Sequence, residues 1–513
     1  MKGSSNGSEN STQTAESDFD ELTYLEYNPD IRAAVLQGVI PSGYEHWIAH
    51  GQREGRLCPP YSQPAGGDAP HGWNELRYLR ENPDVAEAVR SGVYSSGYDH
   101  WAQYGQQEAR NGGGSVFHRT ADLRTALGKH SPGFNYFSFH SAAIGLGWAA
   151  RGYVGVLRAF GPAVTTIDLP WGGGPQSEDR PVAGSMPENP HAINFFHFNP
   201  DILPGFLHRF GAKCFLDRYN IGVWVWDLDA AYPSWHRYTR MFNEIWAPSR
   251  FVADALRVIS TAPIVTVPHV VDNLGARIHS SRASFGLPED AFIFLYVFDA
   301  ASSIERKNPL ALLSAFRQTF GDRRDVFLVL KYHHADKDRP AVELLERIAS
   351  TRANIKTVSQ TFSEDDLASL FEVSDCFVSP HRSEGFGLNI AMAMHHGKPV
   401  IVTGYSGNMD FTNAENSFLI DYDLVALPYD VGYYRAGYGW AQPSVDHLAS
   451  LLQTVIDNPE EAKRRASNGA ATIRRQFSQE ALLQRFEKRM PELKAQTTSH
   501  AVERALHGSN SSK

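Results

Sequence analysis

The stretch Ser379-Pro-His-Arg-Ser-Glu384-Gly-Phe-Gly-Leu388-Asn-Ile-Ala-Met392-Ala-Met-His-His396-Gly-Lys-Pro399-Val-Ile-Val-Thr403-Gly-Tyr-Ser-Gly-Asn408 decides the fold. Just before it, Cys376-Phe377-Val378 is a short apolar run that stops at Ser379-Pro380, as a buried parallel strand stops. Glu384 to Gly387 reads as a loop whose glycines admit a tight backbone and a close ligand. Leu388 to His396 reads as a short helix ended by Gly397 and Pro399. Pro399 to Thr403 is a second buried strand, and Gly404 to Asn408 a second polar loop.

A strand, a glycine loop and a helix N-terminus together form an anion site, because the first-turn amides are unpaired and the helix dipole is positive there. Two such loops from neighbouring parallel strands open on one edge of a sheet, where ligands of open α/β folds bind. Glu384 beside that site suits a ligand with hydroxyls as well as phosphate, such as a nucleotide sugar.

Working outward, the apolar runs recur. Phe134–Phe139, Val164–Leu169, Ile193–Phe198, Gly222–Trp226, Glu244–Ala247 and Ile264–Val267 are expected strands of one half. Phe292–Phe298, Val326–Lys331, Asn354–Val358, Cys376–Val378, Pro399–Thr403 and Ser417–Ile420 are those of a second. Helices are expected from Ile144 to about Phe160, and over Leu310–Phe320, Val342–Ser350, Asp365–Val373, Val445–Asp457 and Ser478–Leu493. Ser363-x-x-Asp366 forms a capping box at the fourth of these. The alternation is that of βαβ units. It predicts an α/β chain of two Rossmann-like domains, 115–270 and 271–477, with a closing helix over 478–495.

The N-terminal region differs. Tyr24-Leu25-x-x-Asn28-Pro29-Asp30 returns as Tyr78-Leu79-x-x-Asn82-Pro83-Asp84, and Gly43-Tyr44-x-His46-Trp47 as Gly97-Tyr98-x-His100-Trp101, at a constant offset of 54. Residues 20–112 are therefore expected to hold two small helical repeats (24–56 and 78–110), with His46 and His100 packing their helices rather than binding metal. Gly66–Asp68 and Gly112–Gly114 read as linkers, and 1–19 and 496–513 as disordered tails.

Composition narrows the function. The net charge of −9 argues against nucleic acid as the main partner. Three scattered cysteines, Cys58, Cys214 and Cys376, make neither a disulfide framework nor a metal site. No apolar run approaches the roughly 18 residues of a membrane span, and Met1–Glu16 lacks a signal-peptide core. A cytoplasmic protein is expected, with peripheral association at the inner face of the membrane.

Several residues sit where chemistry would. Glu305-Arg306-Lys307-Asn308-Pro309 follows the first strand of the second half, where Lys307 can reach a diphosphate as a point charge and Arg306 as a fork. Lys331, at a strand end, can add charge. His197, Asn199 and Asp201 alternate after an apolar run and are expected to project together into a cleft. Gly145-Leu-Gly147 is a partial dinucleotide fingerprint. Gly172–Gly174 reads as a plain loop, Trp224 and Trp226 as core, and His333-His334-x-Asp336 as a charged loop rather than a metal site.

Glu384-Gly-Phe-Gly-Leu388, Ala393-Met394 and Gly397-Lys-Pro-Val400 together resemble the donor signature of retaining GT-B glycosyltransferases of family 4, and the likeness spans roughly 130–490. The resemblance implies two Rossmann-like domains facing a cleft, and a nucleotide diphosphate sugar held by Lys307, Arg306, Lys331, Gly385, Phe386, Gly387, Leu388 and Asn408. Gly145 and Gly147 would form the loop over the donor phosphates. Glu384 and His197 would touch the transferred sugar, and Asn199 and Asp201 would face the acceptor. It implies no metal and no other cofactor. The transfer would move a hexose or deoxyhexose, with retention, to a bacterial surface glycan such as a lipopolysaccharide or exopolysaccharide, lipid-linked or free. The family's second Glu, which holds the donor ribose, is replaced here by Met392. That departure motivates a rival expectation, a degenerate transferase that binds glycans or acts as a scaffold through its repeats.

Overall fold

The computed structural model describes residues 121–169, 189–210, 213–271, 281–334 and 339–491, with parts of 24–54 and 78–105. The expected tails, the glycine linkers, the Gly172–Gly174 loop, Cys58 and Asp336 lie outside the described residues. The chain divides into two compact units, Met1–Val116 and Phe117–Lys513.

In the first unit, Gly43–His46 continues as the wider turn Trp47–Gly51, and Gly97–His100 as Trp101–Gly105. Pro83–Arg90 begins at the second Asn-Pro-Asp, where the fixed φ of proline suits a first turn. Both copies contain the same contact across 22 residues: the Tyr24 hydroxyl meets His46 Nδ1 at 2.9 Å, and Tyr78 meets His100 at 2.8 Å. Asn28 and Asn82 each donate a side-chain bond to the carbonyl of that tyrosine.

The second unit holds two six-stranded parallel sheets. In the first, β1 (Ser131–Ser138), β2 (Ala163–Asp168), β3 (His191–Phe196), β4 (Tyr219–Val223), β5 (Glu244–Ala247) and β6 (Ile264–Thr266) run in the order β2-β1-β3-β4-β5-β6. In the second, β7 (Phe292–Asp299), β8 (Val326–His333), β9 (Ile355–Val358), β10 (Cys376–Ser379), β11 (Val400–Thr403) and β12 (Phe418–Ile420) run β12-β11-β10-β7-β8-β9. Each order reverses once, between β1 and β3 and between β10 and β7. Beyond the carboxyl ends at such a switch point the loops part and leave a crevice. The loops concerned are Phe139–Ile144 and His197–Ile202 in one sheet, and Ala300–Asn308 and Pro380–Gly387 in the other.

The central strands are mostly apolar because helices cover both faces, with a line of asparagines across β1, β3 and β4. The expected strand Gly222–Trp226 lies three residues earlier, at Tyr219–Val223, because its register is set by a buried amide ladder. Asn135, Asn194 and Asn220 are level on β1, β3 and β4. Asn135 Nδ2 donates to Asn194 Oδ1 at 2.9 Å, and Asn194 Nδ2 to Asn220 Oδ1 at 2.8 Å. Trp224 and Trp226, beyond the strand, are core.

Among the described residues, several elements had no counterpart in the sequence reading, among them the helices Leu123–Lys129 and Leu203–Phe210. The helix Arg250–Arg257 is capped by Ser249, and the helix Pro459–Phe477 opens on Pro459. The antiparallel hairpin β13 (Tyr422–Ala426) and β14 (Gly439–Pro443) has a mostly exposed first strand, whose short apolar run Leu424–Leu427 has no strand assigned to it in the sequence reading. The closing helix Gln479–Arg489 returns to the first half, where Leu482 and Phe486 pack with Tyr153, Phe195 and Trp246. Its Arg489 pairs with the buried Glu244. Among the described residues, no helix is long and apolar enough to cross a membrane.

Candidate active site

A cavity of about 420 Å³ lies between the carboxyl edges of the two sheets. Its walls come from both halves: Ala143 to Leu146, Asn199, Val225 and Asp227 on one side, and the loops after β7, β8 and β10 on the other. Arg151 and Glu364 pair across the halves at 2.8 Å on the exposed rim.

The charged centre is built by the two switch-point loops of the second sheet. After β7 the backbone turns through Ser303 (φ +69°) and Asn308 (φ +56°), so that the single turn Ile304–Lys307 aims Arg306 and Lys307 at the signature. Lys307 Nζ reaches Glu384 Oε1 at 2.5 Å. Arg306, almost fully buried, donates to the Ser383 carbonyl at 2.6 Å and lies 3.4 Å from Glu384 Oε2. Burial alone would raise the Glu384 carboxyl, but Lys307 and Arg306 outweigh it and lower the pKa to about 2.

A second carboxylate, absent from the sequence reading, completes the centre. Asp227 of the first half lies 3.2 Å from Arg306 Nη1 and accepts the Gly385 amide at 3.0 Å and the Tyr434 hydroxyl at 2.7 Å. The Gly385 carbonyl in turn accepts the Ser249 hydroxyl at 2.6 Å. A Cβ at Gly385 would stand 2.6 Å from the Trp226 carbonyl, which is why the signature needs glycine there. The glycine loop is thus the seam between the halves as well as a ligand loop.

Gly387 (φ +90°) opens the helix Leu388–His395 with no side-chain cap, and Gly387, Leu388, Asn389 and Ile390 line the cavity. The unpaired amides of that first turn are suited to a phosphate. Phe386 lines the same wall, packed edge-on to His269 at 5.1 Å between ring centres. Lys331 lines the opposite side; burial lowers its ammonium to about 8, and its Nζ sits 4.8 Å from the Phe362 ring centre.

Several expected residues stand elsewhere. β3 ends at Phe196 and the chain then turns, so the alternation of His197, Asn199 and Asp201 is lost. Asn199 lines the cavity and accepts the Val225 amide at 2.9 Å. His197 is sealed beneath it, bonded through Nδ1 to Tyr136 at 3.0 Å, and kept neutral by burial. Asp201 is exposed and outside the cavity wall. The histidines in the wall are His333 and His269, the latter held near pKa 3 by burial. Gly145 lines the cavity at a helix start, whereas Gly147 serves packing: a Cβ there would meet the Ala142 carbonyl at 2.4 Å.

Asn408 is a loop brace rather than a wall residue. It joins His381 Nε2 at 3.1 Å and the Thr403 carbonyl at 3.0 Å. Met392 is buried in the wall. His396, one turn further, lies at the opposite end of the helix, 3.4 Å from Glu372 and stacked on Phe371, so it cannot replace a ribose ligand. Among the described residues, one group could hold a metal ion: Asp299, His333 and His334 bring ligand atoms within 4.8 Å of one another. His334 at φ +53° turns back toward Asp299, and its Nδ1 meets Oδ1 at 2.9 Å. Burial raises the Asp299 carboxyl, and the two histidines overcome that and lower it strongly.

Residues 278–472 match the family model described as glycosyl transferases group 1. No curated protein matches the sequence. Among solved structures, the chain is similar to sucrose-phosphate synthase from Thermosynechococcus elongatus (17% identity, TM-score 0.51, covering 71% of this chain and 99% of that one). It is also similar to Anabaena Alr3699/HepE, solved in complex with UDP-glucose (15%, TM-score 0.52, 70% and 99%). A glycosyltransferase from Rickettsia africae ESF-5 is comparable (15%, TM-score 0.50, 70% and 98%). The two facing sheets are therefore a GT-B frame, and most of its second half, residues 278–472, matches the model of glycosyl transferases group 1.

Proposed function

We propose that the chain transfers a hexose or deoxyhexose, with retention, from a nucleotide diphosphate sugar to a bacterial surface glycan, a lipopolysaccharide or exopolysaccharide precursor at the inner face of the membrane. The observation that carries this reading is the buried Lys307–Glu384–Arg306 centre beside the uncapped helix start at Gly387. Cations and first-turn amides are what a departing diphosphate needs, and the anionic Glu384 is what a sugar's hydroxyls and a developing positive ring need. The complex of Alr3699/HepE with UDP-glucose gives the donor class by analogy of fold.

In this reading the diphosphate competes with Glu384 for Lys307, and Lys331 adds a second positive charge. The acceptor hydroxyl attacks on the face from which the diphosphate leaves and passes its proton to it. Positioning and fixed charge then supply most of the rate. No metal is required, because the diphosphate charge is met by Lys307, Arg306 and the amides.

A thermal-shift screen of the full chain across nucleotide sugars tests the reading. One donor class should stabilise the protein and undergo slow hydrolysis, and Lys307→Ala should lose that stabilisation while remaining folded. Stabilisation without turnover would favour the binding-protein alternative that Met392 motivates. No response to any nucleotide sugar would refute the transferase.

A further inference from the structure

The hairpin β13–β14 belongs by sequence to the second half, yet Leu427, Val431, Tyr434 and Trp440 share a hydrophobic core with Trp224, Trp226 and Trp235 of the first. The Tyr434 hydroxyl bonds Asp227 at 2.7 Å, and its ring lies 5.8 Å from that of Trp226. The Tyr232 hydroxyl of the first half donates to the Tyr433 carbonyl. The hairpin also holds the signature loop: the Ala441 amide donates to the Arg382 carbonyl at 2.9 Å, and Arg382 lies over the Trp440 ring. The hairpin is thus fixed to the second half through β14 and to the first half through its tip.

At that tip, Tyr433 lines the cavity. Its hydroxyl is tied to Tyr434 at 3.0 Å and the two ring centres are 4.4 Å apart, while about half of the residue, 52%, stays open to solvent. A large aromatic held rigid on one side and bare on the other is a platform. The cavity around it offers hydrogen-bonding groups, Asn199 and Asp227 from the first half and Arg306 and Glu384 from the second. An apolar face inside a polar rim matches a pyranose, which presents C–H groups on its faces and hydroxyls at its edge. The diphosphate-type features, Lys307 and the helix start, belong to the second half, whereas Tyr433 is anchored to the first.

We propose that the hairpin adds a carbohydrate subsite to this cavity, with the open face of Tyr433 as the platform for the sugar ring of the acceptor. The inference rests on the transferase reading for the word acceptor; the sugar subsite itself does not need it. It names the acceptor class as a glycoside that presents a pyranose at its end, as opposed to a simple polyol or a peptide hydroxyl.

Saturation-transfer NMR on the full chain tests it, with the methyl glycosides of glucose, mannose and rhamnose as probes and glycerol as the control. Measurements are made with UDP or GDP present, and nucleotide affinity is read separately. At least one methyl glycoside should bind and glycerol should not. Tyr433→Phe should retain the platform, and Tyr433→Ala should weaken the glycoside roughly tenfold, the size of one aromatic contact. Nucleotide affinity should change less than twofold in both. The subsite is overturned if no glycoside binds the unaltered protein, or if Tyr433→Ala binds it equally well. If glycosides bind through Tyr433 but no nucleotide binds, the subsite stands and the transferase reading fails.

Discussion

Replacing Glu384 by Gln removes the anion between two buried cations and leaves the shape almost unchanged. In the folded chain the carboxyl is lowered from its ordinary 4.5 to about 2. At 1.36 kcal/mol per pH unit, that difference corresponds to roughly 3 kcal/mol of stability at neutral pH. The Glu384 side chain is only 13% exposed, so water screens little of it. In a half of this size, the loss should lower the melting temperature by roughly 6–12 °C. Because the folded-state pKa is depressed, the contribution is complete above about pH 4.5 and disappears as pH falls toward 2. The gap between the unaltered protein and Glu384→Gln should therefore close on acidification. Calorimetry of Glu384→Gln, Lys307→Met and the double variant, each as the full chain, checks the pairing. The double variant should melt no lower than the worse single, since either change breaks the same ion pair. Additive shifts, or a Glu384→Gln gap unchanged between pH 7 and pH 3, would refute the charge coupling.

Gly407→Ala should destabilise by about 1–3 kcal/mol, because its Cβ would stand 2.1 Å from the Gly385 carbonyl and both neighbours are backbone; an unchanged melting temperature would contradict the close approach of the two loops. Burial lowers the Lys331 ammonium to about 8, so nucleoside diphosphate affinity should fall as pH rises through 8 and be flat in Lys331→Met, read by titration calorimetry. The stability effect has the opposite sign, since burial of the charged form is relieved between pH 8 and the ordinary 10.5. Met392→Glu should tighten binding of the donor by about one decade, the scale of a charged hydrogen bond to a ribose hydroxyl; loss of binding would mean that the cavity uses an apolar contact there.

By itself, the sequence determined the two sheets and the signature loop. A parallel strand covered on both faces must be apolar throughout, so runs such as Phe292–Phe298 and Cys376–Val378 appear in the one-dimensional record. Glycine and proline at Gly397 and Pro399 mark where a helix must stop. The placement of Lys307 and Glu384 on one edge followed from strand ends, which local pattern reports well. The repeat at residues 24–110 was legible because identity at a fixed offset needs no knowledge of packing.

Tertiary structure alone decided which groups meet across the chain. Asp227 joins Arg306 and Gly385 only because the two halves close on each other, and nothing local to Asp227 signals that encounter. The exchange of His197 for Asn199 and His269 in the cavity wall follows from where β3 ends, a boundary that alternation cannot locate. The amide ladder of Asn135, Asn194 and Asn220 moved β4 against its own apolar run, since buried polar groups must be paired before apolar ones can be placed. Asp299 met His333 through parallel register and His334 just past the end of that strand, and the Tyr433 hairpin reached the first half's core although its first strand is largely exposed. These contacts join residues whose separation in sequence says nothing of their distance, because the packing of whole sheets and helices sets it.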